Sequence, residues 1–130
     1  MVSGSSIQSQ PVEPVQAKLV NIDTGEEIFS LREAVTIGRS RENDLVLQNL
    51  PLASRRHARI YYYQGTYFIE DLGSTNGTFV NGFRIDRPVG LRQSDRLFIG
   101  GFVCEYRPAQ NQVIEHRRAA RQNNSFNTLR

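Results

Sequence analysis

Cysteine is nearly missing from this chain: Cys104 is the only one in 130 residues, so neither a disulfide framework nor a cysteine metal site can be assembled. Histidine is scarce too, and His57 and His116 stand alone, without the clustered spacing of a metal centre. No stretch approaches the roughly 20 apolar residues of a membrane-spanning helix. The opening "MVSGSSIQSQ" lacks the apolar centre of a secretion signal. A Walker loop and an "HRD" segment are both absent, which removes support for kinase or phosphatase chemistry. These absences imply a soluble chain in a reducing, cytoplasmic setting, with no metal and no cofactor.

Long helical periods are also lacking. From Ala17 onward the chain breaks into short runs of Val, Ile, Leu, Phe and Tyr: "AKLVNI", "EIFSLR", "AVTIG", "NDLVL", "HARIYYY", "TYFIEDL", "TFV", "FRI", "VGL", "DRLFIG" and "FVCEYR". Turn residues such as "DTGE", "QG" and "NG" punctuate them. About ten or eleven short strands with short connections predict an all-β fold, an antiparallel β-sandwich or barrel. In "TYFIEDL", alternation sets Tyr67, Ile69 and Asp71 on one face and Phe68, Glu70 and Leu72 on the other, so one face is not cleanly apolar. The same alternation forbids Tyr61, Tyr62 and Tyr63 from sharing a face, which argues against a base-stacking platform.

The polar excess lies at the ends. Residues 1–16 mix Ser, Gln and Pro and predict a flexible linker. Residues 17–107 form the predicted domain, and 108–130 a basic tail in which Val113 to Gln122 has the composition for one short helix. From Arg107 onward, five arginines face Glu115 alone, a surplus of +4 that leaves −1 for the rest of a chain of net charge +3. The basic character belongs to the tail, so nucleic acid is an unlikely partner for the folded part.

Three loops concentrate hydrogen-bond donors: "IGRSREND", "LASRRHARI" and "LGSTNGTFVNG". Arginine forks, hydroxyls and main-chain N–H groups converging on one point suit an oxyanion such as a phosphate monoester. Gly73 and Gly77 permit close approach of the backbone and positive φ. Asn81-Gly82 has the composition of a type I′ hairpin, whereas Ser74 to Gly77 carries more polar chemistry than a turn requires.

Taken together, "GRSRENDLVL", "SRRHARI" and "LGSTNGTFVNG" resemble, in order and spacing, the three signature segments of the forkhead-associated (FHA) domain, a family known for phospho-motif recognition. The resemblance covers about residues 17 to 107. It implies an all-β antiparallel β-sandwich of about eleven strands with binding loops at one end, a binding module and not an enzyme, one that takes a phosphothreonine-containing protein or peptide made by an upstream Ser/Thr kinase. It also implies roles by position: Arg39, Ser54 and Arg55 on the phosphate, Thr75 adding a hydroxyl or main-chain donor, and Asn76 holding the ligand backbone on the C-terminal side. Gly38, His57, Gly77 and Asn81 would support the loops. Apolar Pro51, Leu52 and Phe83 near the site hint at an apolar neighbour in the ligand.

Rival readings have weaker warrants. A hydrolytic triad of Ser54, His57 and Asp44 or Asp71 lacks the flanking elbow or oxyanion frame that such chemistry needs. Contact of the Arg-rich tail with nucleic acid or an anionic surface would be salt-sensitive. Phosphorylation of Thr24, Thr128 or the terminal serines offers a route to self-association, and an FHA-fold scaffold that self-associates without phosphate is the other alternative.

Overall fold

The structure, a computed structural model, describes residues 17–109. The predicted linker 1–16, the tail from residue 110, its short helix and Thr128 lie outside the described residues. Eleven strands occupy the described span: β1 (Ala17–Val20), β2 (Glu27–Leu31), β3 (Ala34–Gly38), β4 (Leu45–Val46), β5 (Ala58–Tyr63), β6 (Thr66–Asp71), β7 (Thr78–Val80), β8 (Phe83–Arg84), β9 (Val89–Gly90), β10 (Arg96–Ile99) and β11 (Phe102–Pro108). Each coincides with one of the short β-branched or aromatic runs.

The strands form a sandwich. One sheet has six strands in the order β2-β1-β11-β10-β7-β8, and the other has five in the order β4-β3-β5-β6-β9. Alternation along each strand sends one set of side chains into the interface. Leu19, Leu97, Ile99, Cys104 and Tyr106 come from the first sheet, and Val35, Ile37, Ala58, Ile60, Tyr67 and Ile69 from the second, all buried in one core. In β6, Tyr67 and Ile69 are the inward pair, which makes Asp71 the third residue on the inward face, at the strand's end. Tyr61 and Tyr63 instead point outward against Phe68, with ring centroids 5.7 and 6.5 Å apart.

One pairing departs from the antiparallel expectation. β4 runs parallel to β3, with Ile37 opposite Leu45 and Gly38 opposite Val46. A long-range bond set explains it: Asp44 accepts the Thr36 N–H at 2.9 Å and an Arg32 N–H at 2.9 Å, folding the 39–44 loop back so that β4 starts beside Ile37, near the end of β3.

Register then gathers the polar loops. Ile37 pairs with Ala58, and Ala58 with Asp71, so the end of β3, the start of β5 and the end of β6 share one end of the sandwich. Loops 39–44, 47–57 and 72–77 all emerge there. The β10–β11 turn reaches the same end, because a Cβ on Gly100 would stand 2.7 Å from that of Ala53.

Candidate functional site

Loop 39–44 leaves β3 through Gly38, where any side chain would run into the Arg55 carbonyl. That close approach lets the 39–40 and 54–55 main chains pair: Arg39 N–H donates to Ser54 O at 2.9 Å and Ser40 N–H to Arg55 O at 3.2 Å. Asn43, buried, closes the corner by donating from Nδ2 to both Ser40 O and Arg55 O at 2.8 Å. Arg39, Ser54 and Arg55 are therefore held on adjacent main-chain segments, Arg39 half-buried and Arg55 exposed.

His57 ties the second loop to the third. Ser54 N–H donates to its Nδ1 at 3.0 Å, and Nε2 lies 2.9 Å from Gly77 O. A main-chain N–H can only donate and a carbonyl can only accept, so Nδ1 is the acceptor and Nε2 carries the proton. The ring is completely buried. Both nitrogens are committed to main chain, and neither addresses Ser54 Oγ or a carboxylate. Asp44 is engaged with Thr36 and Arg32, and Asp71 with its own loop, so the triad arrangement is not formed.

Asp71 organises that third loop. Its Oδ2 accepts Gly73 N–H at 3.0 Å and Ser74 N–H at 2.9 Å, while Oδ1 accepts the hydroxyls of Ser74 at 2.6 Å and Thr78 at 2.7 Å. Ser74 Oγ in turn accepts Gly77 N–H at 2.9 Å. Burial works to raise the Asp71 pKa, but the donors from Ser74, Thr78 and Gly73 outweigh it and hold the carboxyl below its ordinary value. Gly77 takes a φ of 90°, a region open to glycine.

The third loop also bonds directly to the second. Thr75 N–H donates to Ser54 Oγ at 3.1 Å, and Asn76 Nδ2 to Leu52 O at 2.9 Å. Two of the sequence expectations sharpen here. Thr75's main-chain donor is already spent on Ser54, which leaves its hydroxyl. Ser54 Oγ accepts that N–H and keeps its own O–H free to donate. Thr75 and Asn76 are exposed.

Asn81 is the one predicted supporting residue that the fold sets apart. With φ of 53° at Asn81 and 87° at Gly82, the pair forms the left-handed two-residue hairpin expected. Its side chain, however, donates to Asp95 Oδ1 at 2.9 Å and accepts Arg96 N–H at 2.9 Å, bracing the start of β10 at the far end of β7 from Gly77. Asn43, Asp71 and Ser74 were missed as supports. The signal for Asp71 and Ser74 was present, since "DLGS" places an Asx-turn former two residues ahead of Gly73 and three ahead of Ser74. For Asn43 the partner at Arg55 is twelve residues away and leaves no local trace.

The arrangement is a rim of donors from three loops, cross-tied by Asn43, His57 and Asp71, at one end of an eleven-stranded sandwich. The model of the FHA domain matches residues 35–100, and the chain belongs to that family. It is similar to FhaB, an FHA domain-containing protein of Mycobacterium tuberculosis, at 36% identity over 85 residues, 65% of this chain and 54% of that one. The chain thus spans about half the length of that relative. Mycobacterium tuberculosis EmbR, solved in complex with a low-affinity phosphopeptide, superposes with a TM-score of 0.65 and 33% identity over 72% of this chain and 24% of that one. An FHA domain solved in an analysis of phosphothreonine-dependent FHA domain interactions gives a TM-score of 0.60 and 30% identity over 72% of this chain and 94% of that one. Among the described residues no helix is long and apolar enough to cross a membrane.

Proposed function

We propose that the chain is a phosphothreonine-dependent protein-interaction module that recruits partners modified by a Ser/Thr kinase. The observation that carries this reading is the convergence of Arg39, Ser54, Arg55, Thr75 and Asn76 on one rim, with Ser54 Oγ fixed by the Thr75 N–H at 3.1 Å. The phosphate would take the free Ser54 O–H, the Thr75 hydroxyl and the guanidinium groups of Arg39 and Arg55. Asn76, tethered to Leu52 O through Nδ2, makes no other hydrogen bond among the described residues and offers its Oδ1 and second N–H to the ligand's main chain. The module binds and does not catalyse, and its place of action is intracellular, where phosphothreonine is made.

Charge-assisted hydrogen bonds contribute about 1.5–3 kcal/mol each. Several of them, less the cost of association, correspond to roughly micromolar affinity. Binding of that strength is reversible when a phosphatase removes the phosphate. The test is a phosphothreonine peptide array with matched phosphoserine and unphosphorylated controls, read alongside Arg39→Ala. The expected result is binding confined to phosphorylated peptides, strongest for phosphothreonine, and lost in Arg39→Ala with thermal unfolding unchanged. Equal binding to all three peptide classes, or full binding by the variant, overturns the reading.

A further inference from the structure

Arg84 is among the cations beside the rim that have no role in the site as described. It sits on β8 and is exposed, yet its guanidinium lies against the third loop: a Cβ on Gly77 would stand 2.7 Å from Arg84 Nε and 2.9 Å from Cζ. The absence of a side chain at position 77 therefore creates the seat that Arg84 occupies. Register sets the residue directly across from Phe79, whose ring packs edge-on against Phe98 at 5.8 Å. Arg84 is thus held between a glycine of the loop and a residue of a fixed aromatic pair, which limits the rotamer entropy lost when it binds something.

Some exposed arginines elsewhere on the sandwich have carboxylate partners. Arg59 is bonded to Glu70 at 2.7 Å and Arg32 to Asp44 at 2.9 Å. Arg84 makes no ion pair and no side-chain hydrogen bond among the described residues. A guanidinium carries five N–H donors in a rigid fork that matches carboxylate and phosphate oxygens. Gly77 directly follows Asn76, so a peptide engaged by Thr75 and Asn76 passes within a side chain's reach of that fork.

We infer that Arg84 is a specificity-determining residue that reads an anionic group on the ligand beside the phosphothreonine. This rests on the phosphopeptide reading above and deepens it, because the rim would then select an acidic flank as well as a phosphate. It also alters the expectation drawn from Pro51, Leu52 and Phe83. Leu52 and Phe83 are indeed exposed, by 51% and 76%, but the cation on the rim adds a demand that apolar surface cannot meet. The anion is a side-chain carboxylate or a second phosphate, which share the same fork geometry.

The experiment is a set of phosphothreonine peptides in which each flanking position in turn carries Ala, Lys, Asp, Glu or phosphoserine, titrated against the wild-type chain, Arg84→Ala and Arg84→Glu. For the wild type, an acidic group at one flanking position should tighten binding about tenfold over Ala, the order of one charge-assisted hydrogen bond, and the gain should shrink as salt is raised. Arg84→Ala should lose that gain while binding the Ala-flanked phosphopeptide within about twofold of wild type. Arg84→Glu should reverse the preference toward Lys. The Asp and Glu arms against the phosphoserine arm decide which anion is read. A wild type with no acidic preference, or an Arg84→Ala variant that keeps it, overturns the inference while leaving phosphothreonine dependence standing. A wild type that ignores the phosphothreonine itself removes the underlying reading and this one with it.

Discussion

At the scale of single residues, His57 decides whether the second and third loops act as one surface. It is the buried joint between the Ser54 N–H and the Gly77 carbonyl, two groups that have no water to turn to if the ring is removed. Replacing it with Ala leaves a cavity and two unpaired main-chain groups, each costing about 1–3 kcal/mol. A loss of about 3 kcal/mol is therefore expected for His57→Ala, read as a lower urea midpoint with an unchanged slope. Phosphopeptide binding should disappear in parallel, even under conditions where the fold persists. His57→Phe sharpens the test: it fills the volume without either bond, so binding should still fail. A Phe variant that binds like wild type would show that packing alone orders the loops. Arg39→Ala, by contrast, should cost binding without stability, and the pair of outcomes separates a joint from a contact.

At the scale of elements, the third loop depends on one carboxylate at the end of β6. Asp71 collects four donors, and its pKa lies below the ordinary 3.8 because those bonds outweigh the opposing effect of burial. Asp44, which holds β4 to β3, is lowered as well, chiefly by the main-chain bond from Thr36. Both donor sets bind the ionised form. Their contribution is therefore complete above 3.8 and is lost as pH falls through the lower folded-state values. The urea midpoint of the free chain should therefore hold from neutral pH down to about pH 5 and fall below it. Asp71→Asn should start about 2 kcal/mol lower at neutral pH and decline less steeply. Superimposable pH profiles for the two proteins would remove Asp71 as the anchor. The choice of the unliganded chain matters, since a phosphate ester itself gains a proton near pH 6 and would weaken binding on its own.

These two carboxylates also mark where the sequence stopped being legible. The strands could be read because each is a short run of β-branched and aromatic residues bounded by turn formers, and a two-residue period is a local property. The rim residues could be read because Arg39, Ser54, Thr75 and Asn76 fall in segments whose order and spacing resemble a family. What escaped depends on partners distant in the chain: the parallel β4, set by Asp44 reaching Thr36 and Arg32; Asn43 reaching Arg55; Gly100 pressed on Ala53; Arg84 seated on Gly77. Asn81 misled for the opposite reason. Its hairpin geometry is local and was foreseen, while its side-chain partners Asp95 and Arg96 belong to another strand.

For the whole molecule, the question is whether the loops and the sandwich form one cooperative unit, and Cys104 is placed to answer it. It lies in β11, an interior strand of the six-stranded sheet, opposite Leu97 of β10. The thiol is fully buried, and burial pushes its pKa up to about 12, so the native chain presents almost no thiolate. Labelling by a disulfide reagent under native conditions should therefore proceed only through opening of the core. Because His57, Asn43 and the Gly38–Arg55 approach tie the rim to β3, β5 and β6, a ligand on the rim stabilises the entire native state relative to any open form. Phosphothreonine peptide at 100 times its Kd should then slow labelling about a hundredfold, equivalent to about 2.7 kcal/mol. The unphosphorylated peptide should leave the rate unchanged. Labelling at the speed of an exposed thiol, or a rate indifferent to phosphopeptide while thermal unfolding shifts, would mean that β11 opens separately from the loops. The rim and the six-stranded sheet would then be distinct units of stability and not a single one.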